Sequence, residues 1–476
     1  MYDVASHMFK QPIVVAVVGL GKIGLPLAVQ FAQHGCRVIG CDINAEVVNA
    51  INAGCSHVRE EAELLTEVPR LVAQGLLSAT LNVRDAISQA SVVVVIVPVA
   101  IDAKNEVDFR AIDAATTEIG AGLRAGTLVV YETTLPVGTT VGRFATILER
   151  TANLEAGRDF YLAYSPERVS SGRIFRDLRT YPKVVGGINE ESTAAAAAFY
   201  RLVLSAEIIT MASTDEAEFV KLIESVYRDV NIALASEFAC YADTHGLDVM
   251  AAIEAANSQP TSHIHRPGVG VGGHCIPVYP YFLFTSSGEA DFHPSLSGLQ
   301  TLLLARSARL VNDAMAEYAV SQVEAQIGSL EDLSVLILGV AYRGDVRETA
   351  WSSARVLQEA LLERKASIFV DDPLFSDNEL VALGYKPLPP RFEEEISVII
   401  LQANHQAYQT FDFRRFPACQ IVLDGRRVLD REMIESLGMC YIAVGDGRHR
   451  SERSSYSHYA ASSPAPGREE RQGVRL

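Results

Sequence analysis

Paired cysteines are missing from this chain. The seven present, at 36, 41, 55, 240, 275, 419 and 440, form no CxxC pair and no metal-ligand spacing, which excludes a zinc module and fits reduced thiols in a cytoplasm. Also missing is a long apolar run: nothing approaches the roughly eighteen residues that span a bilayer, and Ile13–Leu20 is too short and glycine-bounded for a signal peptide. The chain is therefore expected to be soluble and cytoplasmic, with no membrane insertion. Positive charge is in deficit, with 41 Lys and Arg against 58 Asp and Glu, a net of -17. A nucleic-acid surface is thereby excluded, and an anionic ligand needs locally placed arginines. General disorder is excluded too, because 476 residues at 49% hydrophobic and 21% charged can bury two or three cores. Only the ends depart from this composition: the first ten residues and Arg448–Leu476 hold too little aliphatic surface to order themselves.

What is there begins with Ile13-Val14-Val15-Ala16-Val17-Val18, a β-branched run that reads as a buried parallel strand and leads into Gly19-Leu20-Gly21-Lys22-Ile23-Gly24. Three glycines at this spacing suit a dinucleotide turn. Gly19 makes the bend, Gly21 admits a pyrophosphate, and Gly24 lets the helix from Leu25 to His34 pack close to the strand. A second strand, Arg37–Cys41, ends in Asp42, whose carboxylate suits both ribose hydroxyls and repels a 2′-phosphate. No arginine or lysine follows through Asn52 to accept such a phosphate, so NAD is expected rather than NADP. Further strands at Ser91–Val97 and Thr127–Tyr131 alternate with helices, giving an α/β doubly wound parallel sheet. Pro98 and the loop Thr133–Thr139 fall just past strand carboxyl ends, where such sheets bind ligands.

Gly272-Gly273-His274-Cys275-Ile276-Pro277 sets one thiol in a backbone tight enough to admit a substrate carbon. A cysteine there can hold an aldehyde covalently if a cationic or hydrogen-bonded setting activates it, with His274 or a distant lysine as candidates. On residue type alone an inert buried cysteine is the better account of it. Tyr164-Ser165-Pro166-Glu167-Arg168 follows another short strand, and Ala217–Lys221 opens a long helical pattern running through Glu224, Arg228, Asn231 and Glu237.

With these motifs together the chain resembles the nucleotide-sugar 6-dehydrogenases, the UDP-glucose/UDP-N-acetylmannosamine dehydrogenase family, from Ile13 to about Val444. GxGxxG, the Thr133–Thr139 loop, Ser-Pro-Glu-Arg and Gly-Gly-His-Cys-Ile-Pro occur in the family's order. The resemblance implies two Rossmann-like domains joined by a central helical domain, with bounds 11–205, 206–327 and 328–446, then a tail over 447–476. It also implies a four-electron oxidation of a sugar C6 alcohol to a carboxylate. In that chemistry Cys275 forms a thiohemiacetal and then a thioester, Glu167 serves its hydrolysis, Thr134 positions the water and Lys221 stabilises oxyanion character. Gly19, Gly21, Lys22, Ile23, Gly24, Asp42, Pro98 and Thr134 are expected at the cofactor. Arg168, Lys221, Arg228, Asn231, Arg266, Gly272, Tyr342, Arg343 and Arg426 are expected at the UDP-sugar, and no metal is expected.

Departures from the family pattern carry their own implications. Tyr279 stands where relatives commonly have an aspartate, which removes a partner for the catalytic water, and Ser225 stands where they carry asparagine. Val99-Ala100 replaces Thr-Pro, Ala350 and Trp351 fall where Arg-Glu is usual, and Ser353 replaces a proline. Leu333–Gly339 opens the second nucleotide-type fold, after a helix expected over Pro294–Ile327. Strands are expected at Ser367–Val370, Val398–Leu401 and Gln420–Leu423, with Arg426-Arg427 as an arginine fork. Gly-Gly-His-Cys-Ile-Pro resembles the N-acetylhexosamine branch. It favours UDP-N-acetylmannosamine as substrate, with UDP-N-acetylglucosamine or the galacto epimer as alternatives, and a product used in surface polysaccharide synthesis. Relatives dimerise through the middle helices, so a homodimer or larger homo-oligomer is expected. Two rival readings are a β-hydroxyacid dehydrogenase, which needs neither Cys275 nor a UDP domain, and a sugar-nucleotide-binding protein that has lost turnover.

Overall fold

Val14–Val18 forms strand β1, its β-branched side chains covered on both faces. The same logic gives β2 (Arg37–Cys41) and β4 (Val92–Val95), whereas β3 (Leu77–Thr80) is an edge strand with Ser78 exposed. A two-residue ribbon follows, β5 (Ala100–Ile101) against β6 (Val107–Asp108). Next come β7 (Leu128–Tyr131), β8 (Tyr161–Tyr164), β9 (Lys183–Gly187) and β10 (Ile208–Thr210). The computed structural model describes residues 12–102, 104–285 and 301–448. These fall into two units, Met1–Asp229 with Cys275–Ser307, and Val230–His274 with Ala308–Leu476.

In the first unit eight strands form one sheet in the order β10-β9-β8-β7-β4-β1-β2-β3. All its pairs are parallel except β8 with β9, so the sheet departs at that one junction from the wholly parallel expectation. Alternation sorts β1 between two cores. Val15 and Val17 join Leu27, Phe31 and Phe199, whereas Ala16 and Val18 join Ile119, Phe144 and Leu148. Helices therefore cover both faces. Strand order reverses around β1, between β2 and β4, and the glycine turn after β1 and Pro98 after β4 open at that switch point.

The second unit repeats the plan with five parallel strands. They are β11 (Ser334–Leu338), β12 (Ser367–Asp371), β13 (Val398–Leu401), β14 (Ile421–Asp424) and β15 (Cys440–Ala443), ordered β12-β11-β13-β14-β15. Val335 and Ile337 pack with Leu357 and Leu361 on one face, and Leu336 and Leu338 with Phe413 and Phe416 on the other. The long helix Thr214–His245 contributes residues to both units. The helix expected over Pro294–Ile327 is described as Leu303–Ile327. Its residues 294–300, the first ten residues of the chain and the tail beyond 448 lie outside the described residues.

Gly24 is where the fold tolerates least. A Cβ there would lie 1.8 Å from the Gly19 carbonyl oxygen, whereas at Gly21 it would meet nothing within 4 Å. Gly24→Ala is expected to cost about 2–3 kcal/mol in urea unfolding and Gly21→Ala less than about 0.5 kcal/mol.

Candidate active site

The dinucleotide cradle is built by local backbone geometry. Gly19 takes φ +96°, closed to most side chains, and its amide donates to Cys41 O at 2.8 Å, tying the turn to β2. Asp42 accepts from Leu20 N through Oδ2 and from Asn44 N through Oδ1, both at 2.9 Å. Its carboxylate thus holds the glycine turn and keeps lone pairs for ribose hydroxyls. Open space at Gly21 and the helix Gly24–Gln33 starting beside it fit a pyrophosphate. Lys22 pairs with Glu60 at 3.3 Å, and Ile23 precedes that helix as its cap residue. Pro98 is exposed just after β4, and Thr133 beside Thr134 donates to Val97 O at 2.7 Å, joining the two loops.

The same unit gathers the catalytic candidates. Lys221, buried on the long helix, donates through Nζ to the Glu167 carbonyl at 2.6 Å and lies 5.9 Å from the Tyr279 ring centre. Cys275 is half-buried with no disulfide, its carbonyl accepts from Tyr279 N at 2.9 Å, and burial raises the Tyr279 phenol, with Cys275 adding to the shift and Thr134 opposing it. Cys275, Lys221 and Tyr279 therefore form one cluster, with the Glu167 backbone as its anchor. His274 was a candidate activator of the thiol, but its exposed ring faces Glu348 at 3.4 Å.

Behind that cluster lies an ion triad the sequence did not announce. Lys183 Nζ sits 2.6 Å from Glu132 Oε2 and 3.0 Å from Glu167 Oε2, and all three groups are nearly closed to water. Tyr200 donates to the other oxygen of Glu132. Glu167 Oε1 also accepts from the amides of Arg168 and Val169, at 2.7 and 3.1 Å. Burial pushes Glu132 up to about 7 although Lys183 opposes it. Burial raises Glu167 as well, but there the ammonium and the hydrogen bonds win and hold it below the usual carboxylate value. Glu167 thus carries the charge, and Glu132 is the member that takes a proton. With three of its roughly four lone-pair directions filled, Glu167 is a weak base.

Other expected site residues are engaged elsewhere. Arg168 pairs with Glu224 and donates to Pro182 O at 3.1 Å. Ser225 returns its hydroxyl to the Lys221 carbonyl at 3.0 Å, a bond within its own helix, instead of pointing a donor into the site. Arg228 is exposed on that helix. Glu218 caps the Thr139 loop, accepting from Gly138 N at 2.6 Å and from both Thr140 N and Thr140 Oγ1.

In the second unit Arg266, Gly272, Tyr342 and Arg426 line one open pocket of about 470 Å³ with Gly268, Gly270 and Ser236. Arg426 is held by Gln402 O at 2.6 Å, and burial lowers its pKa to about 10. Arg343 is exposed, its guanidinium 5.9 Å from the Tyr342 ring centre. Asn231 spends both ends of its amide on the loop before Arg266, donating to His263 O at 2.7 Å and accepting from His265 N at 2.9 Å, so it shapes the loop. The arginine fork is not formed: Arg427 turns away to Asp248 at 2.8 Å. The missing Arg-Glu leaves Ala350 and Trp351 as backbone walls, Ala350 O accepting from Gly273 N at 2.8 Å. No group of three or more potential metal ligands occurs among the described residues.

A glycine-turn cradle at a sheet switch point, in one unit with a free half-buried thiol and a buried lysine, is the arrangement of an NAD-dependent dehydrogenase. The chain belongs to the UDP-glucose/GDP-mannose dehydrogenase family, whose NAD binding domain matches residues 13–204, central domain 215–303 and UDP binding domain 336–431. It is 33% identical to a UDP-N-acetyl-D-mannosamine dehydrogenase of Pyrococcus horikoshii over 91% of this chain and 99% of that one. A solved structure of the UDP-D-ManNAc dehydrogenase from that organism superposes with TM-score 0.81 at 32% identity, covering 92% of this chain and all of that one. The NDP-N-acetyl-D-galactosaminuronic acid dehydrogenase of Methanosarcina mazei gives 0.79 at 28% identity, covering 94% and 98%.

Lys183→Met would leave two carboxylates buried without a cation. A loss of about 3–5 kcal/mol is expected in urea unfolding at pH 8. Burial alone would then raise both carboxylates, so the folded variant binds protons that the unfolded chain has released. Its stability should fall as pH rises from 5 to 8, and a flat profile would remove the triad's assigned role.

Proposed function

We propose that the protein is a cytoplasmic UDP-N-acetyl-D-mannosamine 6-dehydrogenase that makes the corresponding uronate for surface polysaccharide synthesis. The carrying observation is that half-buried Cys275 and buried Lys221 meet at Tyr279, through the Tyr279 N–Cys275 O bond and the approach of the ammonium to the tyrosine ring, in the unit that holds the dinucleotide cradle. Similarity over nearly full length to an enzyme of that name supports the sugar. The M. mazei likeness supports a second reading in which the sugar is the galacto epimer. The free cysteines support a reducing compartment.

Gly19–Gly24 and Asp42 would hold NAD, which when bound would supply a hydride acceptor for C6 twice in succession. The alcohol first loses its hydroxyl proton to solvent and a hydride from C6 to the cofactor, and becomes an aldehyde. Cys275 Sγ then attacks C6, the carbonyl pair moves to O6, and the Lys221 ammonium faces that oxygen. Oxidation of the thiohemiacetal leaves a thioester on Cys275. Thr134 orients a water to its carbonyl carbon, the C–S bond breaks with its electron pair returning to sulfur, and the carboxylate departs while the water's protons pass to solvent. Glu167 fixes Lys221 through its carbonyl and has one lone-pair direction left for the water. Arg266, Tyr342, Arg343 and Arg426 are proposed to receive the UDP, with Gly272 allowing close approach.

Homodimerisation is proposed through the long helix. Phe219, Ile223, Leu234, Phe238 and Tyr241 are exposed large apolar residues on it, at spacings close to whole helical turns. Sedimentation should give twice the 51.7 kDa chain mass, and Ile223→Glu with Phe238→Glu should give the single chain.

A panel of UDP-sugars tests the reaction. UDP-N-acetyl-D-mannosamine should yield two NADH per sugar, and Cys275→Ser should lose at least about a thousandfold in kcat. One NADH per sugar, or indifference to the serine, would point to a hydroxyacid-type enzyme. Tight UDP-sugar binding without NADH would point to a binding protein.

A further inference from the structure

Glu218 is a wholly buried carboxylate on the long helix, and its three hydrogen-bond donors all come from one loop. Oε2 accepts from Gly138 N at 2.6 Å, and Oε1 accepts from Thr140 N at 2.9 Å and Thr140 Oγ1 at 2.6 Å. A loop that needed only to be closed could be closed by apolar packing, which avoids the cost of burying a carboxylate. Thr140 opens a π-helical stretch, Thr140–Ala145. A helix start leaves its first amides without intrahelical partners, and Glu218 supplies an acceptor from a different element. At the other end of the loop Thr133 Oγ1 donates to Val97 O at 2.7 Å, and inside it Thr139 Oγ1 donates to Pro136 O at 2.6 Å. Buried Thr134 and Leu135 thus lie between fixed points.

Lys221 follows Glu218 by three residues, so the two side chains leave the helix from neighbouring places on one face. Lys221 donates to Glu167 O at 2.6 Å. One helical turn therefore holds the loop after β7 through Glu218 and the loop after β8 through Lys221. We infer that Glu218 is a positioning residue for thioester hydrolysis: by clamping Gly138 and Thr140 it keeps the loop that carries Thr134 in fixed register with the Lys221 ammonium. It acts through the loop alone, and what it contributes is a water-holding group that does not have to reorganise during the reaction. A carboxylate suits this task because both of its oxygens accept, so three donors are served at once. An amide of the same size accepts on one atom only and turns an N–H toward a loop donor. Burial pushes Glu218 up to about 7 although its hydrogen bonds oppose the rise, so at pH 8.5 the charged form is present.

The role in turnover rests on the proposed reaction, and Glu218→Gln at pH 8.5 tests it. In acid-quenched single turnover with NAD and UDP-N-acetyl-D-mannosamine, formation of the acyl-enzyme with two NADH per site should stay within about twofold of wild type, and its decay should slow at least about tenfold. A merely structural role would instead slow formation and decay together or reduce the number of working sites, and that result, or an unchanged decay, overturns the assignment. Thr140→Val removes one of the three hydrogen bonds. It should slow decay by a smaller factor, its effect should largely vanish when Glu218→Gln is already present, and multiplying effects would count against the clamp. The single Thr140→Val change also supplies the reading if Glu218→Gln does not fold. Hydrogen exchange needs no sugar: peptides covering 136–142 should exchange at least about tenfold faster in Glu218→Gln than in wild type, and equal exchange removes the clamp itself. If wild type makes no NADH with any UDP-sugar while the exchange difference persists, the proposed reaction falls and with it the role in hydrolysis, and the hold of Glu218 on the loop stands.

Discussion

One buried ammonium, Lys183, lies between two carboxylates, and the position of the active-site lysine depends on it. Lys183 holds the Glu167 side chain, two backbone amides hold its other oxygen, and the carbonyl of the same residue holds Lys221. A chain of short polar contacts therefore runs from the sheet interior to the cation proposed to face the sugar. Burying three ionisable groups is costly unless each is paired. Here the cost is offset by fixing the Ser-Pro-Glu-Arg loop in one place, and a loop so fixed can orient a functional group without reorganising during reaction.

The two units reach their nucleotide ends by the same backbone device. In the first, Asp42 past β2 accepts the amide of Leu20 in the glycine turn. In the second, Asp372 past β12 accepts the amides of Val340 and Ala341 after β11, at 2.7 and 3.1 Å. Each carboxylate satisfies amides that a sharp turn would leave without partners. The second unit adds His405, wholly buried, with Nδ1 accepting from Asp345 N and Nε2 therefore carrying the proton toward Asp372.

Strands, glycine turns and the Asp42 position were legible in the sequence because they follow from local rules: β-branched runs, φ sign and spacing along one chain. Strand ends at Arg37–Cys41 and Val398–Leu401 coincide with the expected ones, and others shift by a residue or two. The antiparallel β8–β9 junction was not legible, since direction in a sheet is set by where the chain returns. Nor was the triad, because Glu132, Glu167 and Lys183 are far apart along the chain and a sequence does not mark which charges will be buried together. Asn231, Arg427 and Ser225 show the converse. Each is a plausible ligand group by residue type, and each is already committed to a loop, an aspartate or its own helix.

An aspartate and a tyrosine at the position after the thiol's turn are opposite answers to one problem. A carboxylate accepts, so it can draw a proton from water and repels a neighbouring thiolate; a neutral phenol donates, so it steadies the thiolate and takes nothing from water. With Tyr279 in place, activation of water has to come from elsewhere, and the carboxylate expected to serve it is Glu167, whose side chain is tied to Lys183 and two backbone amides. That charge is kept low in basicity by Lys183. On the proposed reaction, a carboxylate so weakened as a base leaves attack by water on the thioester comparatively unaided.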